Sequence, residues 1–190
     1  MGNVESKIIM PKRKRELKGL IFILRGVPGT GKTTIAHRLY ERLKEPYDYR
    51  VQIVSRDDVR KHYCVKHDID YQSSFRDPII NTLVRDKFYR ELTEWVEYIK
   101  SHAHVLIIDA TNTKLADLKQ TLWCVNRRCV NCQRIGDCHP YDIYLYTRRK
   151  EFGSIHGVPE CIMKRFREEI TESDHWLSTH GYHYNIIVKQ

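Results

Sequence analysis

The chain has 190 residues, 41% of them hydrophobic, which suits one domain with a full core and excludes a disordered chain. There are 33 Lys and Arg against 24 Asp and Glu, and the formal net charge of +9 favours polyanionic partners or an anionic membrane face. No apolar run nears the ~20 residues of a membrane span and no secretory h-region follows the N-terminus, so a cytoplasmic or nuclear protein is expected.

Residues 1–18 read as a basic, disordered tail, with "PKRKRELK" (Pro11 to Lys18) as its charge run. "MGNVES" also fits the N-myristoylation pattern at Gly2, and "KRKR" (Lys12 to Arg15) would supply the second membrane signal. The same basic cluster equally suits nuclear import or nucleic-acid contact. The remainder, 19–190, reads as one domain.

"LIFILR" (Leu20 to Arg25) has the continuous apolar character of a buried parallel strand. "KTTIAHRLYERLK" (Lys32 to Lys44) spaces Ile35, Leu39 and Leu43 as a helix does. "VQIVS" (Val51 to Ser55) is a second strand. Asp77-Pro78 opens a long helix whose stripe runs through Ile80, Val84, Phe88, Leu92, Trp95 and Ile99. "HVLIID" (His104 to Asp109) is a third strand and residues 114–126 a helix. "YDIYLYT" (Tyr141 to Thr147) is a fourth strand. Pro159 opens a helix with Ile162, Phe166 and Ile170 on one side, and "YNIIVK" (Tyr184 to Lys189) is a fifth strand. Strands alternating with helices predict an α/β three-layer sandwich around a mostly parallel five-stranded sheet.

Between the first strand and helix lies "GVPGTGKTT" (Gly26 to Thr34). A phosphate chain is held by several inward backbone N–H groups, which Gly26, Gly29 and Gly31 allow the chain to present. The helix N-terminus adds positive potential; Lys32 reaches the β- and γ-phosphates, and the Thr33 hydroxyl can ligate Mg²⁺. Thr34 completes the ATP-binding set. A strand before and a helix after satisfy the context of a P-loop.

"SRDDVR" (Ser55 to Arg60) follows the second strand, where ligands of open α/β sheets bind. Phosphoryl transfer to an alcohol uses a carboxylate that orients the hydroxyl and takes its proton, and Asp57 is the candidate. Arg60 can hold a phosphate on the acceptor. An Asp here would also serve as a helix N-cap. Asp109, closing "HVLIID", is placed to accept from Mg²⁺-bound water or to anchor Thr33; Thr111 and Asn112 after it suit either a substrate contact or a turn. Residues 148–158, with Arg148, Arg149, Lys150 and the flexible Gly153 and Gly157, read as a cationic lid.

Six cysteines are present; Cys129, Cys132 and Cys138 lie in a Cys-rich insertion at 127–139, with Cys124 just upstream and His139 at its end. Cys129, Cys132 and Cys138, completed by Cys124 or His139, suit structural Zn²⁺, and free thiols in a surface loop are the alternative. Cys64 and Cys161 read as packing residues.

Taken together, "GVPGTGKTT", "SRDDVR", "IIDATNT" and "RKEFGSIHGVPECIMKRF" resemble the P-loop polynucleotide 5′-hydroxyl kinase family, bacteriophage kinase domains included, within the broader zeta-toxin-like and AAA-type P-loop kinases. The resemblance implies Asp57 as general base, Arg60 as an acceptor-phosphate contact, and Lys32 and Thr33 on ATP and Mg²⁺. In two places the chain departs from the phage pattern. The acidic residue expected at Ala110 stands one place earlier, at Asp109. Of two lid arginines, Arg149 matches the first, and the second falls on Gly153, for which Arg148 or His156 can substitute. The expected activity is an ATP-dependent kinase acting on a 5′-hydroxyl of RNA or DNA. A small-molecule or nucleotide-sugar kinase and a nucleotide-gated adaptor without transfer are the alternatives.

Overall fold

The computed structural model describes residues 19–44, 50–100, 104–126, 141–148, 158–179 and 185–189. The tail, the Cys-rich insertion and lid residues 149–157 therefore lie outside the described residues, and so do Arg149 and the candidate ligands Cys129, Cys132, Cys138 and His139. The elements run β1 (Gly19–Arg25), α1 (Lys32–Lys44), β2 (Arg50–Ser55), α2 (Arg56–His67), a 3₁₀ turn (Ser73–Phe75), α3 (Pro78–Lys100), β3 (His104–Asp109), α4 (Leu115–Asn126), β4 (Tyr141–Arg148), α5 (Glu160–Thr179) and β5 (Asn185–Lys189).

The five strands form one sheet in the order β2-β3-β1-β4-β5, and all four pairings are parallel. The expectation of a mostly parallel sheet is met and exceeded. Parallel strands are covered on both faces, and the alternation along β1 divides the core. Ile21 and Ile23 face a cluster with Val84, Phe88 and Leu92 of α3 and Leu118 and Leu122 of α4. Leu20, Phe22 and Leu24 face Ile35, Leu39 and Leu43 of α1. Truncating a fully buried residue such as Ile23 or Leu39 costs roughly 2–5 kcal/mol. Cys124 lies in the first cluster, 1% exposed, with Thr93 Oγ1 3.8 Å from its sulfur. Its core position on α4 is that of a packing residue. Cys64 is likewise buried, whereas Cys161 is exposed, against the expectation that it packs.

Helix α2 is absent from the sequence reading. Its buried residues are Val59, Arg60 and Cys64, so the apolar stripe is short and a cation sits inside it. The N-cap is Ser55, whose hydroxyl accepts from the Asp58 N–H at 3.3 Å. Capping therefore does not fall to Asp57, which remains exposed in the first turn. No helix among the described residues is long and apolar enough to cross a membrane.

Candidate active site

Strand register brings the functional segments together. Asp109 is the register partner of Ser55 on one side and Leu24 on the other. Asp57, two residues past Ser55, and Gly26, two past Leu24, thus emerge beside it at the carboxyl end of the sheet. This is the ligand-binding end of an open α/β sheet.

The loop from Gly26 to Gly31 is closed on itself. Thr30 is fully buried, and its hydroxyl and backbone N–H both donate to the Val27 carbonyl, at 2.9 and 3.4 Å. Gly29 and Gly31 have φ of 80° and 75°, values at which a Cβ would be strained. The curl leads directly into α1, so its first N–H groups and dipole face the loop. Lys32 Nζ donates to the Val27 carbonyl at 2.9 Å. Burial lowers the Lys32 pKa, and the nearby charges of Asp109 and then Asp57 work against that. Asp58 is not among the groups acting on Lys32; its carboxylate accepts from Lys61 at 3.2 Å instead. Asp57 is the neighbouring acid whose charge acts on Lys32, while both Asp57 and Asp58 act on Asp109.

Thr33 Oγ1 donates to Asp109 Oδ2 at 2.8 Å, as expected of a residue that anchors Thr33. Asp109 is 6% exposed, and burial raises its pKa, with the Thr33 hydrogen bond and the Lys32 charge opposing. A carboxylate and a hydroxyl joined beside a cationic loop suit a hard divalent cation bound together with phosphates. Positive-φ glycines and a desolvated ammonium suit the phosphates themselves. The residues fit ATP and Mg²⁺ on these grounds.

The cradle is braced from behind by Arg25, which sequence reasoning passed over. Its side chain is fully buried and reaches the Asn112 carbonyl at 3.1 Å, the Ile170 carbonyl at 2.8 Å, the Ser173 hydroxyl and the Asp174 carboxylate. It thereby ties the end of β1 to the loop after β3 and to α5. The signal was an arginine ending an otherwise apolar buried strand. Asn112 adopts a left-handed φ of 46° and is 1% exposed. Its side chain donates to the Leu24 carbonyl and accepts from the Thr121 hydroxyl at 3.1 Å. Next to it, the Gly26 N–H donates to the Thr111 carbonyl at 3.2 Å. Of the two readings of this loop, Asn112 takes the turn role.

On α2, Arg60 is 5% exposed. Nη1 donates to the Ser74 carbonyl and hydroxyl, Nη2 donates to Asn81 Oδ1 at 2.7 Å, and the guanidinium lies 4.2 Å from the Phe75 ring centre. In this arrangement it braces α2 against the 3₁₀ turn and α3. Tyr71 stands nearby, its hydroxyl pushed up to about 12 by burial first and by the Asp57 charge second, so it stays protonated at neutral pH. Arg148 ends β4 at the same end of the sheet as Gly26, through the pairing of Arg25 with Thr147.

A structure from the PezAT chromosomal toxin–antitoxin system of Streptococcus pneumoniae shares this fold, with a TM-score of 0.57 and 16% identity over 94% of this chain and 70% of that one. Looser likenesses are to an APS kinase of Mycobacterium tuberculosis (TM-score 0.46, 11% identity, 85% of this chain and 99% of that one) and a gluconokinase of Sinorhizobium meliloti (0.39, 11%, 92% and 83%). No curated protein matches the sequence. The profile of an AAA domain family matches residues 21–142, from β1 through the cradle, Asp57 and Asp109 to the start of β4, and the chain belongs to that family.

Proposed function

We propose that the protein is an ATP- and Mg²⁺-dependent kinase that transfers the γ-phosphate to a hydroxyl, with the 5′-hydroxyl of an RNA or DNA end as acceptor. One observation carries the reading: Asp57 stands in the first turn of α2, two residues past Ser55, the register partner of Asp109, and its charge acts on both Lys32 and Asp109. A nucleotide switch needs the cradle but no carboxylate on the acceptor side. Thr33 and Asp109 would hold Mg²⁺, which would supply charge neutralisation at the phosphates. Lys32 holds those phosphates and offsets the charge that develops on them. Asp57 orients the acceptor alcohol and takes its proton as the oxygen–phosphorus bond forms and the bond to the β-phosphate oxygen breaks. Arg148 and Arg149 of the lid segment would add positive charge over the phosphates. The net charge of +9 supports a polymeric acceptor.

The test is incubation with γ-labelled ATP and a panel of 5′-hydroxyl RNA, 5′-hydroxyl DNA, sugars and nucleotide sugars. Label on the nucleic-acid ends, falling steeply with salt, is the expected result. Label confined to a small acceptor and indifferent to salt would replace the polymer with a metabolite. ATP binding with no label on any acceptor would leave a nucleotide-gated adaptor.

A further inference from the structure

The face of α2 that carries Asp57 continues into a cleft. Asp57, Lys61, Cys64, Val65 and Asp68 follow the three- and four-residue spacing of one helical face. The last four, together with Ile69 and Tyr71, line an open surface cleft of about 360 Å³. Lys61 stands one turn beyond Asp57, ~6 Å along the axis. Tyr71 belongs to both places, since it walls the cleft and feels the Asp57 charge. Its ring meets Phe75 edge-on at 5.1 Å, and Phe75 is held beneath the Arg60 guanidinium. The aromatic wall is therefore fixed by the same brace that fixes α2. Val65 is 83% exposed, an unusual setting for a branched apolar side chain beside a ring.

We propose that this cleft is the acceptor subsite, taking the planar nucleobase of a 5′-hydroxyl nucleic-acid end against Tyr71 and Val65, with Lys61 facing the phosphate that follows. The proposal rests on the kinase reading above. A nucleobase is the acceptor component that gains from an aromatic and branched-aliphatic wall, because stacking uses its faces. A sugar ring offers only a smaller, non-aromatic C–H face, and an acyclic polyol offers none, so the gain from such a wall is greatest for a base. Lys61 rather than Arg60 meets the phosphate, because the Arg60 guanidinium is buried and bonded to Ser74 and Asn81. The pair between Lys61 and Asp58 is exposed at both ends, so an incoming phosphate can compete for the ammonium.

The experiment measures equilibrium binding of a 5′-hydroxyl dinucleotide and of its analogue lacking the first base, with the full chain saturated with a non-hydrolysable ATP analogue and Mg²⁺. The wild type is expected to prefer the base-bearing acceptor by ~10-fold or more. Val65→Glu and Tyr71→Ala should each erase that preference, while Tyr71→Phe should keep it. Val65 is on the surface, so its variant keeps the test open if Tyr71→Ala does not fold. Equal binding of the two acceptors, or a preference untouched by Val65→Glu, overturns the subsite. Base preference without phosphate transfer would overturn the kinase reading and support the subsite. Transfer without base preference would do the reverse.

Discussion

The phosphate cradle and the proposed acceptor face sit at the same end of one sheet, and they are made of different material. Between β1 and α1 the cradle is mostly backbone: three positive-φ glycines, the carbonyl of Val27 and the first turn of a helix. Along α2 the acceptor face is side chain: Asp57, Lys61, Val65 and the ring of Tyr71, supported from below by Arg60, Ser74 and Asn81. A backbone site works only with particular residues at fixed spacing, and it needs rigid bracing, which Arg25 and Asn112 provide. A side-chain site can hold its scaffold and vary what it presents. On the proposed reading, the comparison teaches that the cradle would fix the chemistry and the α2 face its target.

This difference predicts where substitutions act. Lys32→Ala should lower kcat/KM by about 10²- to 10³-fold. Its thermal midpoint should not fall, since burial already depresses this ammonium. Steady-state kinetics beside a melting curve checks both halves of that statement. Arg25→Ala should do the opposite to stability. It leaves Asp174 and the Asn112 and Ile170 carbonyls without this partner and should cost ~3–5 kcal/mol by urea denaturation. A small cost there would mean that the cradle is not braced through β1.

Asp109→Asn sharpens the contrast through pH. Because burial raises the Asp109 pKa, the folded state binds this proton more tightly than the unfolded chain. Its stabilising contribution is present at acidic pH and is lost as pH rises through the raised value. The variant lacks that loss and keeps an acceptor for Thr33. Its stability advantage over wild type should grow as pH rises above the ordinary carboxylate range, while Mg²⁺-dependent activity falls. A pH-independent difference would contradict the burial argument. The smallest effect is Ser55→Ala, which removes the cap of α2 and should cost about 1 kcal/mol of stability.

The same contrast explains what was legible beforehand. Strand β3 and helix α1 are found with the bounds read from the sequence, because their apolar patterns are strong. The cradle was legible because glycine spacing is itself the mechanism. Helix α2 was not, because Arg60 occupies part of its buried face and polar residues dominate the rest. Arg60 illustrates the limit: its spacing from Asp57 suggests a phosphate contact, yet its partners Ser74 and Asn81 come from segments that only the tertiary fold brings near. Tyr71 and Arg25 were missed for the same reason, since neither belongs to a local motif. The roles expected of Arg149 and of the Cys129–His139 stretch fall outside the described residues.

The central claim is that Asp57 steers an alcohol toward a nucleotide held across from it. The most direct measurement is transfer of labelled γ-phosphate to a 5′-hydroxyl oligonucleotide by Asp57→Asn, at saturating ATP, beside the variant's affinity for ATP. A loss in kcat of about 10²- to 10⁴-fold with ATP affinity retained is the predicted result. Full turnover by the variant would contradict the account.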